Sequence, residues 1–400
     1  MNQTKKICVI GLGYIGLPTA ALLANRGYSV HGVDVVASTV DIINQGKIHI
    51  VEPDLDTFVR AAVNSGNLKA SLTPDIADVF IIAVPTPFHE GYVPNVDYVV
   101  SATKAIAPFV KEGDIVILES TSPVGTTDLV GETLKEQGVD TSKLFIAHCP
   151  ERVLPGHIMR ELVENDRIVG GLTPEATEKT VEFYKTFVSG AVLSTDARTA
   201  EMAKLTENSF RDTNIAFANE LSILCDKFGI DVWELIKLTN RHPRVNVLQP
   251  GAGVGGHCIA VDPWFIVHAG GDDAKIIRTA REVNTYKTEW SIEKIKNAAL
   301  KFEAENGRKA KVACMGLAFK PDIDDLRESP AVYITKSLIS QGLDVLAVEP
   351  NLKSHKSFEI INFETAINDA DIIVYLVAHK EFKGIRIFGK DVIDFCGVNK

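Results

Sequence analysis

Short, continuous hydrophobic runs alternate with helix-forming stretches along the first half of the chain. The runs cover residues 6–11, 29–34, 79–84, 115–118 and 144–147, and they are typical of strands buried on both faces of a parallel sheet. The first intervening stretch, Gly16–Asn25, is rich in alanine and leucine and predicts a helix. The alternation therefore predicts a doubly wound, Rossmann-like parallel sheet.

The pattern becomes helical near residue 196. Residues 199–228 contain neither glycine nor proline, so they predict one long helix that ends at Gly229. Further helices are predicted at residues 232–238 and 274–300, with a glycine-rich loop at 249–264 between them.

An α/β pattern returns from Ala310, where KVACMGLAF repeats the strand-then-glycine layout of KICVIGLGY. A predicted helix and a strand that ends in Glu349 follow it. We therefore expect an α/β protein with two Rossmann-like doubly wound parallel-sheet domains, residues 1–195 and 304–400. A helical connector at residues 196–303, which contains the long central helix, joins them.

A dinucleotide-binding fingerprint lies between the first predicted strand and helix. Gly11, Gly13 and Gly16 form GxGxxG, whose glycines permit a tight turn, close approach of a pyrophosphate and close strand–helix packing. Asp34 ends the next strand, where a carboxylate binds ribose hydroxyls and repels a 2′-phosphate. The alternative, a glycine-rich turn beside an exposed aspartate, fits this strand–helix–strand context poorly. The fingerprint predicts NAD rather than NADP.

The second half has a broken version of this fingerprint. Its loop reads Gly316-Leu317-Ala318-Phe319-Lys320, so the later glycines are lost and a lysine is present. The lost glycines argue against a second NAD site, whereas the lysine suits a pyrophosphate. A nucleotide-diphosphate substrate would explain both features.

Two groups of residues are candidates for the chemistry. Lys204, Asn208 and Arg211 are spaced to share one face of the long helix, although a solvated polar stripe has the same spacing. Cys258 precedes Asp262 in a segment predicted to open a helix, whose dipole would favour a thiolate. A buried structural cysteine and a helix-capping aspartate are the alternatives. An NAD enzyme needs no thiol to oxidise an alcohol, but aldehyde oxidation benefits from a covalent thiohemiacetal.

Composition narrows the classes of function. The formal net charge of −10 disfavours nucleic-acid partners, whose phosphates require a basic surface. The six cysteines are scattered without a CxxC pair, which predicts neither a disulfide framework nor a metal site. The sequence has no run of eighteen apolar residues and no signal-peptide pattern, so we expect no membrane association and a cytoplasmic location.

Seven ordered motifs resemble those of the UDP-glucose/GDP-mannose dehydrogenase family. They are GLGYIGLP, VPTP, ESTSPVGTT, CPERVLPG, AEMAKLTENSFRD, GVGGHCIAVDPW and GLAFKPDIDDLRES. The resemblance implies oxidation of a sugar alcohol to an acid in two NAD-dependent steps without release of the aldehyde. IHIVEPDL and NRHPRVNVLQPG resemble the members that act on UDP-N-acetylmannosamine in polysaccharide synthesis. The implied substrate is a UDP-linked N-acetylhexosamine, with other UDP-hexoses as alternatives.

The resemblance also implies roles for individual residues. Cys258 matches the nucleophile and Lys204 the acid/base residue, while Asn208 and Asp262 match positions that stabilise an oxyanion and assist a water. Glu151 matches a second candidate base, for which a carboxylate merely paired with its neighbour is the alternative. The implied NAD contacts are Gly11, Gly13, Tyr14, Ile15, Gly16, Asp34, Thr86, Thr121, Thr127 and Arg327. The implied UDP-sugar contacts are Glu151, Arg152, Val153, Lys204, Asn208, Arg211, His242, Arg244, Gly255, Phe319 and Lys320.

The resemblance further implies a homodimer or larger homo-oligomer that packs through the long helix, with an arginine like Arg244 reaching the neighbour's site. For His242, a plain surface group is the alternative. The chain departs from the family near its end, where Cys396 occupies a region that usually carries a lysine or arginine. One hypothesis is that Lys400 replaces that charge.

Three other classes of function are alternatives. A two-electron Rossmann dehydrogenase, in which Cys258 is inert, would yield one NADH per substrate instead of two. A short-chain epimerase needs Tyr-x-x-x-Lys, and no tyrosine here has a lysine four residues on. A non-catalytic NAD-binding scaffold needs no reactive side chains, so the presence of Lys204, Cys258 and Asp262 argues against it.

Overall fold

The computed structural model describes residues 5–256, 258–398 and 400. The chain forms two compact units, Met1–Thr206 and Glu207–Lys400, and the division falls within the long helix. The three-part division expected from the sequence stays a prediction. Among the described residues, no helix combines the length and apolar character needed to cross a bilayer.

The first unit alternates strands and helices as predicted. Its strands are β1 (Lys6–Ile10), β2 (Ser29–Val33), β3 (Leu68–Ser71), β4 (Val79–Ile82), β5 (Ile115–Leu118), β6 (Phe145–His148), β7 (Arg167–Gly171) and β8 (Val192–Asp196). Its helices are α1 (Gly16–Asn25), α2 (Ala37–Asn44), α3 (Leu55–Asn64), α4 (Asp97–Ile106), α5 (Thr126–Glu136), α6 (Ile158–Glu164) and α7 (Pro174–Tyr184), followed by the start of α8 (Ala197–Phe228).

These eight strands form one sheet in the order β3-β2-β1-β4-β5-β6-β7-β8. The pairs from β3 to β6 are parallel, which confirms the doubly wound sheet. The sheet is not parallel throughout, because β7 pairs antiparallel with β6 and parallel with β8. The sequence did not predict β7 as a strand, because Arg167 and two glycines interrupt its hydrophobic run.

Alternate residues of the central strand β1 pack on opposite faces of the sheet. Ile7 and Val9 belong to the hydrophobic cluster that contains Leu17 and Leu23 of α1. Cys8 and Ile10 belong to a second cluster, which includes Val99 from α4. Burial on both faces explains why the strands read as continuous hydrophobic runs.

The second unit begins within α8 and contains α9 (Val232–Thr239), α10 (Asp262–Gly270), α11 (Lys275–Asn306), α12 (Pro330–Ser340) and α13 (Phe363–Asp369). Its strands are β9 (Lys311–Met315), β10 (Asp344–Val348), β11 (Ile372–Tyr375) and β12 (Asp391–Asp394). They form a parallel sheet in the order β10-β9-β11-β12, as the second Rossmann-like pattern predicts. Helix α8 ends at the predicted position, where Gly229 takes a positive φ of 68°.

The glycine turn after β1 generates a prediction about stability. An alanine at position 16 would place its Cβ 1.8 Å from the Gly11 carbonyl oxygen, whereas at position 13 it would meet no atom within 4 Å. Forcing an atom into packed backbone costs about 1–3 kcal/mol or more. Gly16→Ala should therefore lower the thermal unfolding midpoint, measured by circular dichroism, and Gly13→Ala should leave it near that of the wild type. Equal midpoints for the two variants would contradict this account of the turn.

Candidate active site

The turn after β1 has room for a ligand only at its middle glycine. Gly11 takes a φ of 90°, and a Cβ there would lie 2.5 Å from the Ala83 carbonyl oxygen, while the same position on Gly13 is open. Asp34 lies beside this turn, where its carboxylate accepts hydrogen bonds from the N–H groups of Leu12 (3.0 Å) and Val36 (2.9 Å). An open glycine at the start of α1 next to a fixed, half-exposed carboxylate suits the pyrophosphate and ribose of NAD.

The loops after β4 and β5 bring two predicted NAD contacts together. The Thr86 hydroxyl donates a hydrogen bond to the Thr121 carbonyl oxygen at 2.5 Å. Thr127 is fully buried, and both its N–H and its hydroxyl donate to a carboxylate oxygen of Glu201, at 2.7 and 2.6 Å. The hydroxyl proton of Thr127 is thus committed to Glu201, so any contact with NAD would use its oxygen as an acceptor.

Sequence reasoning missed Glu201, which comes from the first turns of α8. Its second carboxylate oxygen accepts the N–H of Gly125 at 2.6 Å, so one buried side chain binds the start of α5 at three points. Desolvation raises the pKa of Glu201, and the bonds from Thr127 and Gly125 oppose the rise. No spacing in the sequence connects the two segments, which lie more than seventy positions apart.

Glu151 follows β6 and forms a buried ion pair. Its Oε2 lies 2.5 Å from Nη1 of Arg167, and both side chains are almost wholly inaccessible. Its Oε1 accepts the backbone N–H of Arg152 at 2.7 Å, while the Arg152 side chain donates to the Asp166 carbonyl oxygen at 3.2 Å. The cation that binds Glu151 here is Arg167, which the sequence did not single out. The role of Glu151 as a base stays a prediction.

A second carboxylate shares the surroundings of Arg167. Glu119 is fully buried and accepts a hydrogen bond from the Tyr184 hydroxyl at 2.6 Å. Burial raises the pKa of Glu119 to about 7, although the Arg167 charge opposes this rise and the Glu151 charge adds to it. Glu119 therefore holds its proton at pH values below about 7, where the Arg167 charge is balanced by the Glu151 carboxylate.

The loop that carries these residues is anchored from a distance. Glu52 is buried, and its carboxylate accepts the N–H groups of Gly156 and Ile158, each at 2.8 Å. Val153 lies half-buried in the same loop. The sequence suggested no partner for Glu52, because its contacts lie a hundred residues away.

In the second unit, Cys258 lies exposed in the turn that opens α10. Its carbonyl oxygen accepts the N–H groups of Val261 (3.0 Å) and Asp262 (2.8 Å), so the turn runs directly into the helix, as predicted. Asp262 is buried, and its Oδ2 accepts a hydrogen bond from Nδ2 of Asn208 on α8 at 2.5 Å. The alternative that Asp262 only caps the helix is wrong, since Val261 is the cap residue.

The remaining candidates on α8 differ in exposure. Lys204 is half-buried and lies one helical turn before Asn208, while Arg211 is exposed. His242 and Arg244 lie exposed in the turn after α9, where the Arg244 N–H donates to Nδ1 of His242 at 3.3 Å. The structure brings Asn208 and Asp262 together with the Cys258 turn, and the roles expected of Lys204, Arg211, His242 and Arg244 stay predictions.

The glycine-rich loop packs against the segment after β9. A Cβ at Gly255 would lie 2.5 Å from the Glu328 carbonyl oxygen and 2.9 Å from Cβ of Phe319. Gly256 takes a φ of 86°, and a Cβ there would meet the ring of Phe319 at 2.8 Å. These two glycines therefore allow the loop to pack closely on Phe319. Gly255 and Phe319 are neighbours, as shared substrate contacts would require.

In the second fingerprint loop, the backbone N–H groups are already bonded to a carboxylate of the same unit. Glu349 accepts the N–H groups of Leu317 (2.7 Å) and Ala318 (2.9 Å) and contacts Nε2 of His379 at 3.0 Å. Burial would raise the pKa of Glu349, but these hydrogen bonds together hold it at about 2. Lys320 follows in the loop and is half-buried.

Two predicted contacts have acidic partners within the second unit. The Arg327 guanidinium pairs with Asp325 at 2.6 Å, and the Arg327 carbonyl oxygen accepts the N–H of Gly256 at 3.2 Å. The Lys400 ammonium lies 2.5 Å from Asp231 at the start of α9. This pairing does not support Lys400 as a replacement for the family's C-terminal cation.

One cluster has the composition of a metal site but not its chemistry. Ligand atoms of Asp322, His379 and Glu381 lie within 4.8 Å of one another. Nδ1 of His379 accepts the N–H of Asp322 at 2.9 Å, and Nε2 bonds to Glu349. Both ring nitrogens are therefore engaged, and a metal would have no imidazole lone pair to bind.

Three successive parts of the chain match the three domains of one family. Residues 5–188 match the NAD-binding domain, 198–286 the central domain and 313–398 the UDP-binding domain of the UDP-glucose/GDP-mannose dehydrogenase family. The chain belongs to this family. It is an NAD-dependent oxidoreductase of the UDP-sugar dehydrogenase kind.

Relatives with curated names match over nearly their whole length. The UDP-N-acetyl-D-mannosamine dehydrogenase of Campylobacter jejuni is 56% identical, over 99% of this chain and 100% of that protein. The NDP-N-acetyl-D-galactosaminuronic acid dehydrogenase of Ralstonia nicotianae is 54% identical, over 98% of this chain and 96% of that protein. The solved UDP-D-ManNAc dehydrogenase of Pyrococcus horikoshii is 37% identical, with a TM-score of 0.90 over 99% of this chain and 96% of that one. These likenesses confirm the family expected from the motifs.

The buried Glu119 generates a prediction about pH. The folded protein keeps a proton on Glu119 up to about pH 7, whereas a free glutamate releases it near 4.5. Stability from this group is therefore fully present below pH 4.5 and is lost as the pH rises to 7, by at most about 1.4 kcal/mol per pH unit. Glu119→Gln, which mimics the protonated form, should remove this decline from unfolding midpoints measured across that range.

The matched control is Glu112→Gln. Glu112 is an exposed carboxylate of the same unit, paired with Lys143, so the variant should follow the wild-type pH dependence. Parallel curves for the wild type and Glu119→Gln would show that Glu119 is ionised in the folded protein.

Proposed function

We propose that this enzyme oxidises the C6 alcohol of UDP-N-acetyl-D-mannosamine to the carboxylate, a four-electron reaction that yields UDP-N-acetylmannosaminuronate for surface polysaccharides. The observation that carries the proposal is the state of Cys258. Of the six cysteines, all of which lie in the described part of the chain, four are buried, Cys396 is partly buried and Cys258 alone is exposed. A solvent-exposed thiol at the start of a helix, close to the buried Asn208–Asp262 pair, suits a nucleophile.

The sugar is inferred from the names of the relatives, which agree on an N-acetylated hexosamine but differ in its identity. Proteins named for mannosamine and galactosaminuronic acid chemistry are 56% and 54% identical to this chain. Both names describe oxidation of an N-acetylated hexosamine, so the acetamido group is common to them and the ring configuration is not. Among solved structures, a UDP-D-ManNAc dehydrogenase is 37% identical to this chain and an NDP-N-acetyl-D-galactosaminuronic acid dehydrogenase is 30% identical, which favours the mannosamine assignment. UDP-GlcNAc and other UDP-hexoses are the alternatives.

The chemistry divides between the cofactor and a few side chains. NAD, when bound, accepts a hydride from the sugar carbon in each of the two oxidations. Lys204 takes the proton of the C6 hydroxyl, directly or through a water. The Cys258 thiolate then adds to the aldehyde carbon to form a thiohemiacetal, whose oxidation gives a thioester.

Hydrolysis of the thioester regenerates the thiol. A water activated by Asp262, with Glu151 as the second base, attacks the thioester carbon, and the acid leaves as Cys258 recovers its proton. The Asn208 amide orients the Asp262 carboxylate, and its N–H groups suit the oxyanion that forms at the attacked carbon. The N-terminal end of α10 favours the thiolate form of Cys258. The thiol must stay reduced, which is consistent with a cytoplasmic enzyme.

Counting NADH tests the covalent route. The wild type should form two NADH for each UDP-ManNAc consumed, measured by absorbance at 340 nm and by chromatography of the sugar nucleotide. Cys258→Ser should abolish acid formation, because a serine hydroxyl stays protonated near neutral pH and is a far poorer nucleophile than a thiolate. Two NADH per sugar in Cys258→Ser would refute the covalent route, and one NADH in the wild type would indicate a two-electron dehydrogenase.

The same assay tests the sugar. UDP-ManNAc, UDP-GlcNAc, UDP-GalNAc and UDP-glucose would be supplied in turn at equal concentration with excess NAD. We expect UDP-ManNAc to give at least about tenfold higher kcat/KM than the others, a difference of about 1.4 kcal/mol in transition-state binding. A different preferred sugar with two NADH would keep the chemistry and reassign the substrate.

The proposed assembly is a homodimer or larger homo-oligomer formed through α8. Phe210, Phe217 and Leu224 recur at seven-residue intervals on one face of that helix and are 69%, 60% and 40% exposed. Large apolar side chains in a row on a helix surface are typical of a protein–protein interface. The Arg244 side chain is exposed, as a contact with a neighbouring subunit would require.

A charge placed in this row should weaken the assembly. Phe217→Glu should shift the molar mass measured by light scattering toward that of the monomer, because a carboxylate would have to be desolvated in the interface. The control is Phe388→Glu, since Phe388 is 80% exposed and lies outside the helix. An unchanged mass for Phe217→Glu would exclude this face as the interface.

A further inference from the structure

A buried polar chain connects helices α8 and α11 beneath the loop that carries Cys258. Its members are Asp212 and Asn219 on α8 and Arg281 and Asn284 on α11, all at most 5% exposed. None of these residues belongs to the reaction described above. Buried polar groups in the contact between two helices require an explanation, because apolar residues would pack there without desolvating a charge.

The chain begins at one end of the loop. Asn219 accepts the backbone N–H of Gly251 through Oδ1 at 2.9 Å and donates through Nδ2 to Oδ1 of Asn284, also at 2.9 Å. Nδ2 of Asn284 donates in turn to Oδ1 of Asp212 at 2.8 Å. The two amides therefore link the loop backbone to the Asp212 carboxylate. Each amide accepts with its oxygen and donates with its nitrogen, which fixes its orientation.

The chain ends at the other end of the loop. Nη1 of Arg281 lies 2.7 Å from Oδ1 of Asp212 and 3.5 Å from the carbonyl oxygen of Ile259, the residue that follows Cys258. Burial raises the pKa of Asp212, and the Arg281 charge opposes that rise. The pair thus places a buried cation against the carbonyl next to the nucleophile.

A second contact from α11 holds the entry to the loop. The Thr288 hydroxyl donates to the carbonyl oxygen of Ala252 at 3.1 Å. A Cβ on the next residue, Gly253, would lie 2.2 Å from that hydroxyl oxygen, so the loop backbone lies directly on the helix. Both ends of the glycine-rich loop are therefore bound to the same helix pair.

We propose that Asp212 and Arg281 are positioning residues, which hold the Cys258 turn where the thiolate can reach the aldehyde carbon. The inference rests on the proposed role of Cys258 as the nucleophile. A loop rich in glycine has little conformational preference of its own, so its position depends on these anchors. A displacement of about 1 Å at a reacting atom can cost on the order of a hundredfold in rate.

The test separates the two oxidations, because only the second needs the thiol. Arg281→Lys keeps the positive charge near Asp212 but loses the planar group that reaches Ile259 as well. We expect the rate of acid formation to fall at least about tenfold while the KM for NAD stays within about twofold. The first oxidation should continue, so free aldehyde, trapped with hydroxylamine and measured by mass spectrometry, should appear in the variant and not in the wild type.

The matched control breaks another ion pair between the same helices. Lys294 on α11 pairs with Asp226 on α8, nearer the end of α8 than Asp212. Lys294→Ala should show wild-type acid formation and no trapped aldehyde. Aldehyde release by Lys294→Ala equal to that of Arg281→Lys would overturn the proposal, because the effect would then come from general loosening of the helix pair.

A second variant provides an independent test if Arg281→Lys fails to fold. Thr288→Val keeps the shape of the side chain and removes only the hydrogen bond to Ala252, and it should also release aldehyde. Normal acid formation with no aldehyde in both folded variants would overturn the proposal. Cys258→Ser is assayed alongside: if it still forms acid, the proposed function has failed, whereas a dead Cys258→Ser with normal anchor variants refutes the positioning role alone.

Discussion

Loops that leave the carboxyl ends of parallel strands present backbone N–H groups that the sheet does not pair, and this structure satisfies them with carboxylates. Asp34, Glu52 and Glu201 do so in the first unit and Glu349 in the second. Each carboxylate fixes the backbone of a loop that carries candidate site residues. The geometry of the site depends on these interactions, because an unpaired buried N–H costs about as much as a lost hydrogen bond.

Some features of the fold and of the candidate site could be predicted from the sequence, and others could not. Strands with continuous hydrophobic runs and the uninterrupted helix α8 were found within a few residues, and Asp34 was found because its spacing from the glycines is characteristic. Strand β7 was missed because Arg167 lies within it. That arginine forms the buried ion pair with Glu151, so the side chain that interrupts the hydrophobic pattern is also the partner of a candidate site residue.

The missed site residues share one physical reason. Glu52, Glu201 and Arg281 act through contacts with residues 22 to 106 positions away, and a single sequence has no periodicity that reports such distances. The family resemblance supplied the residues that react or bind, such as Cys258 and Asp262. It did not supply the side chains that hold them, which the three-dimensional contacts reveal.

The closed state of the Glu349 loop has a consequence for how each unit can hold phosphate. In the first unit Asp34 accepts the Leu12 N–H, which leaves room beside Gly13 for a ligand to meet the positive end of a helix. In the second unit the Leu317 and Ala318 N–H groups already face a full negative charge, which cancels the local potential of the backbone. In the proposed complex, a diphosphate there would draw positive charge from side chains such as the half-buried Lys320 and not from these N–H groups. Because dissolved ions screen charged side chains, we expect the affinity for the sugar nucleotide to depend more strongly on salt concentration than the affinity for NAD.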